Sequence, residues 1–315
     1  MNQQPIFLEP VFQERIWGGS KLAELFGYHI PNAKTGECWA VSAHPNGQSV
    51  VKNGACQGMS LGELWSSHQE LFNSSSPVFP LLTKILDASD DLSVQVHPND
   101  EYAEEHENGE LGKTECWYII DAEPGAEIIY GHEAKSKEQL IAWIEEGNWG
   151  DLLTRVQVKP GDFFYVPSGT IHALGKGIVV LETQQSSDTT YRVYDYGRKD
   201  DAGNTRELHL DKAIDVTTIP QTYEPENYNT ETNRGLTVTS FVSNAFFTVQ
   251  KWDIDGQASI TAREKYTICS VIDGKGQLTI GGHSYPLSKG DHFILPVSFG
   301  PYELSGSMSL IISSE

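Results

Sequence analysis

The sequence predicts a mainly β protein made of two related barrel or jelly-roll units with a few inserted helices, and three observations carry that expectation. Short apolar runs recur at 93–97, 116–121, 126–131, 163–167, 178–183, 237–241, 247–254, 266–272, 276–282, 292–296 and 308–313. Gly, Pro, Asn and Asp separate them, the punctuation of antiparallel strands in a sandwich or barrel. Helical spacing near 3.6 is confined to two stretches, 58–72 and 135–153, the second with Leu140, Ile141 and Ile144 on one stripe. The chain also repeats part of itself. Lys159-Pro160-Gly161-Asp162 before an apolar run matches Ser288-Lys289-Gly290-Asp291 before another, offset by 129, while Ile119-Ile120-Asp121 matches Val271-Ile272-Asp273, offset by 152. A helical insert of about 23 residues in the first unit reconciles the two offsets.

The elements follow in order. The run at 93–97 places Gln95 and His97 on one strand face and Val94 and Val96 on the other, because side chains alternate along a strand. The acidic stretch from Asp100 to Glu110 reads as a short surface helix or loop. Residues 220–235 are polar, hold two prolines and lack an apolar period, which reads as a linker. The expected organisation is an N-terminal catalytic unit at 1–220, a linker at 221–235 and a second unit at 236–315.

The 315 residues are 38% hydrophobic and 10% aromatic, enough for packed cores. No apolar run approaches the roughly 20 residues that span a bilayer, and Met1 to Gly19 lacks the pattern of a secretory leader. Cys38, Cys56, Cys116 and Cys269 are scattered, which suits reduced thiols and a cytoplasmic location better than a disulfide framework. The net charge is −21, from 22 basic and 43 acidic residues. Such a field disfavours nucleic acid and anionic membranes as partners. An anionic small molecule would need a local basic cluster working against it. Oligomeric state is not legible here.

One pattern carries chemistry. Gly161-Asp162, Pro167, Gly169 and His172 form G-D-x-x-x-x-P-x-G-x-x-H, which resembles the second motif of the cupins. The upstream half is Gln95, His97 and Glu115. Three neighbouring strands of a barrel can bring an amide oxygen, two imidazoles and a carboxylate to one point, a donor set suited to Zn²⁺, with Fe, Mn, Co or Ni open. A single histidine in a strand is more often just packed or exposed. His44, His68, His106, His132, His209, His283 and His292 take that reading. In the second unit Ser298 and Pro301 stand where the glycine and histidine would be, so that unit is expected to bind no metal.

Several segments together resemble the short bacterial form of the type I mannose-6-phosphate isomerases. They are Arg15-Ile-Trp-Gly-Gly19, Gly36-Glu-Cys-Trp39, Ser42-Ala-His-Pro45, Leu81-Leu-Thr-Lys84, Leu92 to Asp100, Lys113-Thr-Glu-Cys-Trp117, Pro167 to Ala173 and Glu182 to Asp195. The resemblance implies a double cupin fold, one zinc ion per chain on Gln95, His97, Glu115 and His172, and a phosphosugar substrate. It also implies interconversion of mannose 6-phosphate and fructose 6-phosphate through an enediolate. On it, Arg192 is catalytic, Glu182 is the candidate proton carrier with a salt bridge to Arg192 as the alternative, and Ser93, Lys84 and Lys113 face the substrate and its phosphate. Two rivals stay open at this point, a cupin dioxygenase and a non-catalytic sugar-sensing cupin. Gly274-Lys-Gly276 is too short for a dinucleotide motif.

Overall fold

The computed structural model describes residues 4–200, 202–222, 228–261, 263–297 and 299–315. Ser298 and residues 223–227 of the expected linker fall outside them. Three antiparallel sheets dominate. A six-stranded sheet runs in the order Phe163–Val166, Glu115–Ala122, Ile178–Gln185, Leu81–Ala88, Thr35–Val41, Val11–Gly19. A five-stranded sheet runs Tyr191–Tyr194, Val94–Val96, His172–Leu174, Glu127–His132, Leu153–Gln157. Trp17, Leu86, Trp117, Ile119 and Phe164 of the first interlock with Ile128 and Leu174 of the second, which makes the N-terminal barrel.

The remaining strands form a nine-stranded sheet, and it is not purely C-terminal. Its path ends on Ile6–Glu9, which pairs with His292–Leu295, and on Val50–Val51. The N-terminal strand therefore crosses the boundary expected at 220. A shared core seals the junction, with Leu61, Trp65, Phe72, Phe79, Cys116 and Tyr118 packed among Phe247, Tyr266, Ile268, Ile294 and Ile311. Part of the polar stretch read as linker is also a strand, Asn229–Asn233, paired with Leu236–Ser243. It is exposed along its whole length, so burial left no period to read. The runs at 266–272 and 276–282 join into one strand, Thr267–Ile280, although Gly274 and Gly276 interrupt its apolar pattern.

The repeat has a hydrogen-bond signature. In the first unit Gly161 N donates to Ile119 O and Ile119 N to Asp162 O, each at 2.9 Å. In the second Gly290 N donates to Val271 O and Val271 N to Asp291 O, again at 2.9 Å. Asp162 Oδ2 accepts from Lys159 N, and Asp291 Oδ2 from Ser288 N. A bulge follows at matching positions, skipping Ile120 in one unit and Ile272 in the other. The expected insert is the helix pair Lys137–Glu145 and Trp149–Leu152, whose Leu140, Ile144 and Leu152 cover the outside of the five-stranded sheet. The other helical stretch yields Leu61–Ser67, started by a capping box of Ser60 and Glu63. The acidic stretch yields the helix Asp100–His106.

Candidate metal centre and active-site cavity

Two rows of side chains face each other across the N-terminal barrel. On the six-stranded sheet, strand register sets Trp117, Glu182, Lys84 and Trp39 side by side on four adjacent strands. On the five-stranded sheet it sets Arg192, Gln95 and His172 side by side on three. Val94 and Val96 turn into the core behind, as alternation requires. The Pro167-x-Gly169 turn closes the row, Gly169 N donating to His97 O at 2.9 Å.

His97, Glu115 and His172 are buried, and their ligand atoms lie within 4.8 Å of one another. His97 Nε2 stands 3.5 Å from Glu115 Oε2, and His172 Nε2 stands 3.4 Å from Glu115 Oε1. His97 Nδ1 donates to Thr189 O and His172 Nδ1 to Thr170 O, both at 2.8 Å, which turns each Nε2 lone pair inward. Burial pushes the His172 imidazole down to about 4, and burial with the nearby Lys113 lowers His97, so both rings are neutral and able to ligate. Glu115 Oε1 is sealed from solvent with no hydrogen-bond donor. A buried orphan carboxylate oxygen between two inward imidazoles fits a cation. The Gln95 side-chain amide reaches within 3.4 Å of His172 Nε2, beside the cluster.

Above this floor lies a cavity of about 390 Å³, lined by Lys84, Ser93, Gln95, Lys113, Glu182 and Arg192, all anticipated, and by Arg15, Glu37, Asp188 and Arg206, which were not. Lys113 Nζ lies 2.9 Å from Glu115 Oε2 and 3.2 Å from His97 Nε2. Glu182 accepts from Trp117 Nε1 at 3.0 Å, and its ion-pair partner is Lys84 at 3.8 Å rather than Arg192. Burial and the neighbouring Glu115 raise the Glu182 carboxyl, although Lys113 and Lys84 pull the other way. Arg192 Nε donates to Ser93 Oγ at 3.3 Å and Nη1 to Glu207 O at 2.8 Å. Arg15 grips Glu37 with two hydrogen bonds, and Trp39 Nε1 donates to the same carboxylate. Arg15 and Arg206 also line a shallower outer cavity, so the cations continue toward solvent.

Of the other histidines, His44 packs edge-on against Trp39, and His292 is buried between Ser270 and Tyr28. The second barrel is filled by Trp252, Phe293, Leu295, Phe299 and Tyr302. Among the described residues the cluster of His97, Glu115 and His172 is the one group of this kind.

The fold and this centre define a mainly β double cupin whose first barrel carries a candidate metal site. Residues 6–120 match the family model of the phosphomannose isomerase type I catalytic domain, and residues 237–315 match the mannose-6-phosphate isomerase cupin domain. Mannose-6-phosphate isomerase ManA of Bacillus subtilis is 57% identical over 99% of both chains, and the mannose-6-phosphate isomerase of Streptococcus mutans is 57% identical over 98% of both. A crystal structure of a Bacillus subtilis mannose 6-phosphate isomerase superposes with a TM-score of 0.98 at 54% identity, covering 99% of this chain and 100% of that one. A phosphomannose isomerase variant from Salmonella typhimurium shares the fold, at 17% identity and a TM-score of 0.77 over 99% of this chain and 100% of that one. The chain belongs to the type I phosphomannose isomerase family.

Proposed function

We propose that this protein interconverts mannose 6-phosphate and fructose 6-phosphate through an enediolate, with one zinc ion per chain held by Gln95, His97, Glu115 and His172. The observation that carries this is the pairing of two neutral, inward-facing imidazoles and an orphaned buried carboxylate with a cavity rich in cations, in a chain of net charge −21. The names of the near relatives support mannose 6-phosphate as a substrate. When bound, zinc would supply Lewis acidity that favours negative charge on a substrate oxygen.

The chain's own residues account for the rest. Moving a carbonyl from C1 to C2 takes the proton from C2 and returns one to C1, while the hydroxyl proton on O2 passes to O1, with negative charge on oxygen in between. Glu182 takes and returns that proton. Its raised carboxyl makes it a stronger base than an exposed glutamate. Lys113 faces the developing oxyanion, since its ammonium lies against Glu115 and His97 at the cavity floor. Lys84, paired with Glu182, serves the same end of the sugar. Arg192 lies beside Gln95 in the ligand row and adds positive charge to the transition state. Ser93 and Arg206 line the cavity and face the phosphate. Cys38, Cys116 and Cys269 are buried free thiols, which supports the cytoplasmic location we assign. Among the described residues, no helix is long and apolar enough to cross a membrane.

The test is direct observation by NMR of mannose 6-phosphate with the zinc-loaded protein in heavy water. The expected result is conversion toward fructose 6-phosphate, the same mixture from either sugar, and no oxygen uptake. No conversion from either side would overturn the reading.

A further inference from the structure

Lys113 precedes the strand Glu115–Ala122, so the sheet ladder does not hold it, yet its side chain is almost fully buried at the reacting end of the cavity. Its backbone is held in another way. Three successive amides each have a fixed acceptor: Gly112 N donates to Asp100 Oδ1 at 2.8 Å, Lys113 N to Pro98 O at 2.9 Å and Thr114 N to Gln185 Oε1 at 2.9 Å. The two side chains that do this are bonded to each other, Gln185 Nε2 donating to Asp100 Oδ1 at 2.9 Å. Gln185 N also donates to Thr114 O at 3.1 Å, so residue 185 grips residue 114 from both directions. Gly112 is pressed against the chain opposite, where a Cβ would lie 2.4 Å from Asn99 C and Asp100 N.

A lysine has four rotatable side-chain bonds, and a loop lysine would spread its ammonium over many positions. A group that stabilises charge in a transition state works only if its position is set beforehand. We infer that Gln185 and Asp100 act as a clamp that positions Lys113, which makes them positioning residues for the isomerisation. The inference rests on the assignment of Lys113 to the oxyanion given above. The clamp draws on three separate segments, the start of the helix Asp100–His106, the residues before Glu115 and the last residue of Ile178–Gln185, so no single element could supply it.

A double-mutant cycle on the metal-loaded protein tests it. Gln185→Ala should lower kcat by about tenfold or more and change KM by less than about threefold, with metal content and melting temperature near wild type. Made in Lys113→Ala, the same change should cost less than about twofold, because the group it positions is gone. Equal losses in both backgrounds would overturn the clamp and leave the assignment of Lys113 intact. A fully active Lys113→Ala would instead overturn that assignment and the clamp with it. Should Gln185→Ala fail to fold, Gln185→Glu sets two carboxylates against each other, and adding Asp100→Asn restores a donor between them. Recovery of kcat in the double variant supports the clamp, and no recovery overturns it. Amide exchange in the metal-free protein gives a readout independent of activity. Lys113 and Thr114 should exchange faster in Gln185→Ala, and unchanged protection would overturn the proposal.

Discussion

Arg192 is half-buried, is held by a hydroxyl and a backbone carbonyl, and forms no carboxylate ion pair among the described residues. A guanidinium left in that state has charge to offer a substrate. Arg192→Ala should depress kcat about a hundredfold, on the order of 3 kcal/mol, with a much smaller rise in KM. Arg192→Lys should recover little, because an ammonium lacks the planar fork. Steady-state kinetics with metal analysis checks this; a rise in KM alone would make Arg192 a phosphate anchor. Glu37 makes a different prediction. Burial alone would raise its carboxyl, but Lys84, Arg15 and the Trp39 N–H outweigh burial and lower it. A depressed carboxylate contributes stability above its unfolded value near 4.3 and loses it as pH falls through the folded value. Glu37→Gln should therefore unfold more easily than wild type at pH 7, with the gap closing below about pH 4. A gap that persists at low pH, measured by denaturant melts, would contradict that account. His97 and His172 were legible because motif spacing names them. The places of Glu37 and Arg206 in the cavity were not, since the first depends on which strands pair and the second lies outside any strand.

At the scale of elements, legibility followed unbroken apolar runs: Ile178–Gln185 is buried throughout yet stood out by Ile178-Val179-Val180-Leu181, and the exposed Asn229–Asn233 has no such run. The strand Leu81–Ala88 was missed as a strand, although its first four residues stood out by resemblance, because Thr83, Lys84 and Asp87 break its apolar run while all eight residues are buried. A strand covered on both faces has no period of two and cannot be told from a buried helix by pattern. The second motif read well because its turn needs particular residues. Gly169 has φ +84°, and a Cβ there would meet Thr218 Oγ1 at 2.4 Å and Val216 O at 2.9 Å. Its amide also ties that turn to His97. Gly169→Ala should cost about 1–3 kcal/mol of stability and weaken metal binding, since the strain falls between the segments that carry His97 and His172. Thermal unfolding and a zinc titration measure the two effects, and unchanged values in both would contradict this role for the turn.

For the whole molecule, the repeat was readable from one four-residue and one three-residue match, and equivalent hydrogen bonds now stand behind it. The joining of the units was not readable, because Ile6–Glu9 pairs with a strand nearly 300 residues away and nothing local marks such a partner. The core between the units is continuous, so residues 1–220 expressed alone should expose Leu61, Trp65, Phe72 and Tyr118 and fail to melt cooperatively, while the full chain melts as one unit. Calorimetry of both would decide; a stable, cooperatively folded fragment would refute the shared core as a requirement. The proposed isomerisation turns on a metal held by the buried cluster of the first barrel. Zinc titrated into chelator-treated protein, with fructose 6-phosphate formation followed at each addition, tests that claim most directly. Activity should rise from near zero and level off at one ion per chain, and His172→Ala should show no such rise; full activity in the stripped protein, or a normal titration in His172→Ala, would contradict it.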